Sequence, residues 1–91
     1  MPYIAQEYRH NTDDELDDLY GLFCAMRDRC TPGDLNYIIT RIITVYYETK
    51  GPGYTQLNDA IGVLESAKQE FYRRVVVPYE EQKRKEQGDV Y

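Results

Sequence analysis

Two groups of residues in this chain have types and spacings that could do chemistry. The first combines tyrosine with arginine. Asn36, Tyr37, Arg41 and Tyr47 fall on one side of the stretch 31–51, and Tyr72, Arg73 and Tyr79 follow nearer the C-terminus. Phenol rings stack on planar groups, and a guanidinium meets phosphate or carboxylate with a two-pronged fork. Together the two sets could hold a nucleotide or anchor a protein partner. Glu65, Glu70 and Glu80 are close enough in sequence to neutralise the same arginines, so ordinary surface ion pairing competes with that reading.

The second group is acidic: Asp13, Asp14, Glu15, Asp17 and Asp18, then Asp34. Carboxylates three apart on a helix, such as Asp14 and Asp17, with Asp34 from the next helix, could hold Mg²⁺ on substrate phosphates. With Gly33-Asp34-Leu35 opening a helix, the pattern has the look of the all-α nucleotide pyrophosphohydrolases. It departs from them in two places. Aspartates stand where that pattern has glutamates, and Thr31-Pro32 stands where its second motif has an acid. Helix-dipole stabilisation accounts for the first cluster and a helix cap for Asp34. Neither a GxSxG nor a phosphate-cradling glycine loop occurs, and the single His10 has no ligand-spaced companion. No catalytic residues and no cofactor are therefore expected, and the hydrolase stands as the rival.

Helices must position these residues. In 31–51 the residues Leu35, Ile38, Ile39, Ile42 and Tyr46 recur at about 100° per residue, which predicts an amphipathic helix with that stripe as its core face. Thr31 suits the cap, Pro32 the first helical position, Asp34 the capping-box acid, and Gly51 the left-handed stop. On the opposite face Asn36, Tyr37, Thr40, Thr44 and Tyr47 replace the lysines and glutamates of a solvated surface. That face is expected to be covered by another protomer, the N-terminal segment or a ligand. Thr12-Asp13-Asp14-Glu15 reads as a second capping box, opening a helix over 12–29 with Leu16, Leu19, Tyr20, Phe23 and Met26 inward. A third helix runs from about 54 to 77 on Leu57, Ala60, Ile61, Leu64, Ala67, Phe71 and Val75. Pro78 should kink or restart it, with Glu80/Arg84 and Glu81/Lys85 pairing beyond.

The predicted fold is all-α. It has three main helices, the first two an antiparallel hairpin and the third long, with a proline-kinked C-terminal helical extension. One small domain covers 1–91, with 1–11 as an irregular lead-in and 87–91 as a tail. The net charge of −5 argues against general nucleic-acid binding. No segment is apolar for long enough to cross a membrane, and the N-terminus lacks the pattern of a signal peptide, so a cytoplasmic location is expected. Cys24 and Cys30 are about 9 Å apart along a helix, too far for an easy bridge, and are expected as reduced, mostly buried thiols. Ten tyrosines against two phenylalanines and no tryptophan give the chain rings that also need polar partners, a composition suited to interfaces.

MPYI with Arg9, GDLNYIIT at 33–40, GVLESAKQEFYRR at 62–74, PYEEQK at 78–83 and the ending GDVY resemble a family of small phage and prophage proteins. The likeness spans nearly the whole chain with the motif order intact. It implies a short helical protein made in an infected bacterial cell, and it brings no catalytic residues and no established activity. Phage proteins of this size often act by occupying a host enzyme or holding a host signalling nucleotide. The expectation is thus a non-enzymatic, homo-oligomeric binding protein, a counter-defence factor. It would sequester a nucleotide or block a host protein through Asn36, Tyr37, Arg41, Tyr47, Tyr72, Arg73 and Tyr79. A purely structural oligomer is the remaining alternative.

Overall fold

Local signals around Thr31 set the middle of the molecule. Its side chain accepts the Asp34 amide at 3.2 Å, and the Asp34 carboxylate accepts the Thr31 amide at 2.8 Å. That capping box, with Pro32 in the first turn, opens helix α2 at Pro32–Lys50. Gly51 closes it at a φ of 89°, a left-handed value that a side chain would oppose. The computed structural model of the chain describes residues 4–91, with His10 and Asn11 through their backbone alone. The remaining elements are α1 at Gln6–Met26, α3 at Tyr54–Phe71, a π-helical turn at Tyr72–Val76 and α4 at Val77–Gln87. No strand occurs among the described residues, and the fold is all-α.

The lead-in is shorter than expected. Helix α1 begins at Gln6, not at Thr12, and it starts without a side-chain cap. Residues 6–11 contain no breaker, so the helix extends through the site where a cap was expected. Thr12 lies inside α1 and its hydroxyl donates to the Arg9 carbonyl at 3.0 Å. The expected packing of Tyr3 lies outside the described residues.

The restart expected at Pro78 is found: α4 begins at Val77 with the proline in its first turn. A proline inside an α-helix collides with the carbonyl four residues back and supplies no amide. Here the backbone loosens by one residue per turn just ahead of it: the Val77 amide donates to the Tyr72 carbonyl, an i to i−5 bond. The wider turn makes room for the ring, and helical geometry runs on from Tyr54 to Gln87. At 1.5 Å per residue such a rod is about 50 Å long, which matches the 50 Å long dimension of the molecule.

The close hairpin pairs α2 with α3 across Gly51-Pro52-Gly53. The expected partnership of α1 with α2 is looser, since among the described residues no Cα of α1 comes within 8 Å of another helix. Very little is consequently buried. Ala60, at 8% exposure, is the one buried residue among those described. The stripe expected to form the core of α2 is largely bare, with Leu35, Ile39, Ile42 and Tyr46 exposed and Ile38 half-buried. Leu16 and Tyr20 of α1, and Leu57, Ile61, Phe71 and Val75 of α3 and the turn after it, are bare as well. Cys24, expected inside, is exposed, and both thiols are free. The radius of gyration is 16.8 Å, against roughly 12 Å for a closed domain of this length.

Candidate functional site

The tyrosine-bearing face of α2 is built by threonines that turn back on their own helix. The Thr40 hydroxyl donates to the Asn36 carbonyl at 2.8 Å, and the Thr44 hydroxyl to the Thr40 carbonyl at 2.7 Å. Each hydroxyl is thereby satisfied within the helix, and the face needs no outside polar partner on their account. Asn36, Tyr37 and Arg41 are exposed, Tyr37 at 63%. Arg41 has no ion pair or hydrogen bond among the described residues.

Tyr47 differs from Tyr37. It is half-buried and lines an open groove of about 260 Å³ between α2 and α3, with Ile43, Thr44, Leu57, Ala60, Ile61 and Leu64. Tyr47 is thus partly covered by α3 of its own chain, not by any of the three expected covers, and Tyr37 is bare. The groove is apolar, and its α3 wall consists of residues the sequence assigns to the core. Small Ala60 lets the helices approach, and the larger side chains on either side then leave the notch unfilled. Ile43 was missed because it sits at the edge of the apolar stripe. Its spacing of four from Tyr47 was the available signal.

Tyr72, Arg73 and Tyr79 form a separate group on the π turn and α4. The Tyr72 hydroxyl donates to Glu80 Oε2 at 3.4 Å, spanning the π turn. Arg73 Nη2 meets Glu70 Oε1 at 2.6 Å, and Lys83 Nζ lies 5.6 Å from the centre of the Tyr79 ring. Every one of these polar groups already has a neighbour from the same rod. No hydrogen bond or ion pair joins this trio to Asn36, Tyr37, Arg41 or Tyr47, so the seven expected residues fall into two separate groups.

Farther along α4 the ion pairs also differ from those expected. Arg84 pairs with Glu81 at 2.7 Å and with Asp89 at 3.3 Å, and Lys83 pairs with Glu86 at 3.4 Å. Glu80 is occupied by Tyr72 instead of Arg84. The bonds from Asp89 and then Glu81 raise the already high pKa of Arg84. Gly88, at a φ of 90°, turns the tail back so that Asp89 reaches Arg84, leaving Val90 and Tyr91 bare at the rim of an open, charged cleft.

The acidic residues do not come together. Asp34 is committed to Thr31, and those two hydrogen bonds, backbone first, hold its carboxyl below the ordinary aspartate value. Asp14 and Asp17 lie in α1, away from α2. No set of three or more His, Cys, Asp or Glu side chains among the described residues is placed to hold a metal ion. The alternative Mg²⁺ arrangement of Asp14, Asp17 and Asp34 is therefore not assembled. Nor is any helix among the described residues long and apolar enough to cross a membrane.

Residues 1–90 match a domain of unknown function, DUF6899, and the chain belongs to that family. No curated protein and no solved structure matches it.

Proposed function

We propose that this member of the DUF6899 family is a non-enzymatic binding protein that works through its helix surfaces. Its context would be a phage-infected bacterial cytoplasm, where it would act as a counter-defence factor that blocks a host protein. One observation carries the reading. The chain leaves 8214 Å² accessible, whereas a closed monomer of 10.8 kDa leaves about 5,500 Å². Leu16, Tyr20, Ile42, Leu57, Ile61 and Phe71 are among the large side chains it leaves exposed, the kind of surface that binds by being covered.

The same geometry favours a macromolecular partner over a sequestered nucleotide. A nucleotide site needs rings and unpaired cations that converge. Arg73 is instead paired with Glu70, Tyr72 with Glu80, and Arg41 lies on a different helix from both. The groove beside Tyr47 is lined almost wholly by carbon and offers a phosphate nothing. A panel of linear and cyclic nucleotides with Mg²⁺, read by melting temperature and by product analysis, tests the choice. The expected result is no shift beyond about 1 °C and no product. A nucleotide that raises the melting temperature by 5 °C or more and is recovered intact would replace this reading with sequestration. Released product, abolished by Asp34→Asn, would replace it with hydrolysis.

A further inference from the structure

We propose that the bare apolar stripe of α2 is covered by a second copy of this chain, in an isologous homodimer centred on that helix. The inference rests on the reading that the uncovered helix faces are docking surfaces, and it names the first occupant.

Area sets the kind of partner. The chain exposes roughly 2,700 Å² more than a closed monomer of its mass would. A standard transient complex covers about 800 Å² on each partner, which would leave most of that excess in water. Obligate homodimers bury about 1,000–2,500 Å² or more on each partner and have interfaces resembling a domain core cut in half. One buried residue does not make a core, so the missing apolar contacts must be present whenever the chain is folded. A second copy is the one partner supplied wherever the chain itself is made.

Charge and exposure then choose the face. In a twofold dimer the same patch meets itself, so a patch with net charge repels its own image. Helix α1 carries six acids, Glu7, Asp13, Asp14, Glu15, Asp17 and Asp18, against one base, Arg9. Helix α4 is polar all round and laced with its own ion pairs. Helix α2 balances Asp34 and Glu48 against Arg41 and Lys50, and between them runs an uncharged ridge of Leu35, Ile39, Ile42 and Tyr46. Those four side chains are 36–54% exposed in one protomer.

The test uses the full chain. Light scattering after size exclusion is expected to give twice 10.8 kDa, and the melting temperature is expected to rise by about 5–10 °C over a hundredfold increase in concentration. Ile42→Glu places a charge on a site that a lone protomer exposes at 54%, where it would be silent. In the dimer it should halve the mass or abolish cooperative melting. Tyr79→Glu on α4 should leave the mass unchanged. If the wild-type chain runs at 10.8 kDa and shows no cooperative melt alone, the dimer is wrong while the binding reading survives, because some other protein must complete the core. A cooperative, concentration-independent melt at the monomer mass overturns both. An oligomer indifferent to Ile42→Glu, or dissociated by Tyr79→Glu, overturns the α2 interface.

Discussion

Residues 12–15 and residues 31–34 each place a threonine three positions ahead of a carboxylate, and the two starts behave differently. At Thr31 both reciprocal bonds form and α2 begins there. At Thr12 neither forms, the hydroxyl donates backwards to Arg9, and α1 is already under way from Gln6. What separates them is the chain on the N-terminal side. Thr31 follows a turn, in which the Arg29 and Cys30 amides both donate to the Met26 carbonyl, and its own backbone is extended at a φ of −101°. Pro32 then supplies a residue suited to a first turn. Thr12 follows Gln-Glu-Tyr-Arg-His-Asn, which propagates a helix without interruption. A capping box stabilises a start that something else imposes; it does not stop a helix arriving from upstream.

The largest effect that could break this comparison comes from Asp13→Pro. If α1 truly began at Thr12, proline at position 13 would occupy the first helical residue and be tolerated, as Pro32 is. In a helix running from Gln6, it removes the amide bond to Arg9 and collides with that carbonyl. The cost is about 3 kcal/mol unless residues 6–12 unwind to escape it. Circular dichroism and amide exchange should show loss of helix confined to residues 6–12. An unchanged helical signal would place the start of α1 at Thr12 after all.

A smaller pair of substitutions sharpens the same contrast. Thr31→Ala should lower stability by about 1 kcal/mol, since the Asp34 amide loses its acceptor at a true helix start. Thr12→Ala should be neutral or stabilising by up to about 0.5 kcal/mol, because alanine suits a helix interior better than threonine. Urea midpoints for the two variants, measured together, settle it. Equal losses would mean that both boxes cap.

How much was legible follows from the range over which each signal acts. Thr31, Pro32, Asp34 and Gly51 define α2 within three or four residues of each end, and sequence alone places them. The start at Gln6 was hidden because Ala5 caps with no side chain, and only the absence of breakers in 6–11 marks it. Pro78 signals a conflict with an α-helix but not its resolution. The clash can be relieved in several ways, and the bond from Val77 to Tyr72 shows that this chain widens the turn ahead of the proline. Tyr37 and Tyr47 look alike on a helical wheel. Only the line of approach of α3 puts Tyr47 beside a groove and leaves Tyr37 in water. The α2 stripe is the plainest case: periodicity identifies its apolar side, but a wheel contains nothing about what covers it.

The smallest effect is a dependence on pH. The Asp34 carboxylate accepts from the Thr31 amide and hydroxyl, at 2.8 and 3.0 Å, and both bonds favour its charged form, so its pKa in the folded chain lies below the ordinary 3.8. A depressed carboxyl pKa means that the unfolded chain binds the proton more tightly. The contribution of Asp34 is therefore fully present above the ordinary value and disappears as pH falls through the lower, folded one. Asp34→Asn cannot titrate, so the variant should melt below the wild type at about pH 6, and the two curves should converge as pH drops below about 3.8. Glu65, which is also depressed, through Gln69 and then Lys68, is common to both proteins and cancels in the difference. Curves for wild type and Asp34→Asn that stay parallel well below about pH 3.8 would mean that the carboxylate's charge adds nothing at this start, and the contrast between the two starts would then rest on the threonines alone.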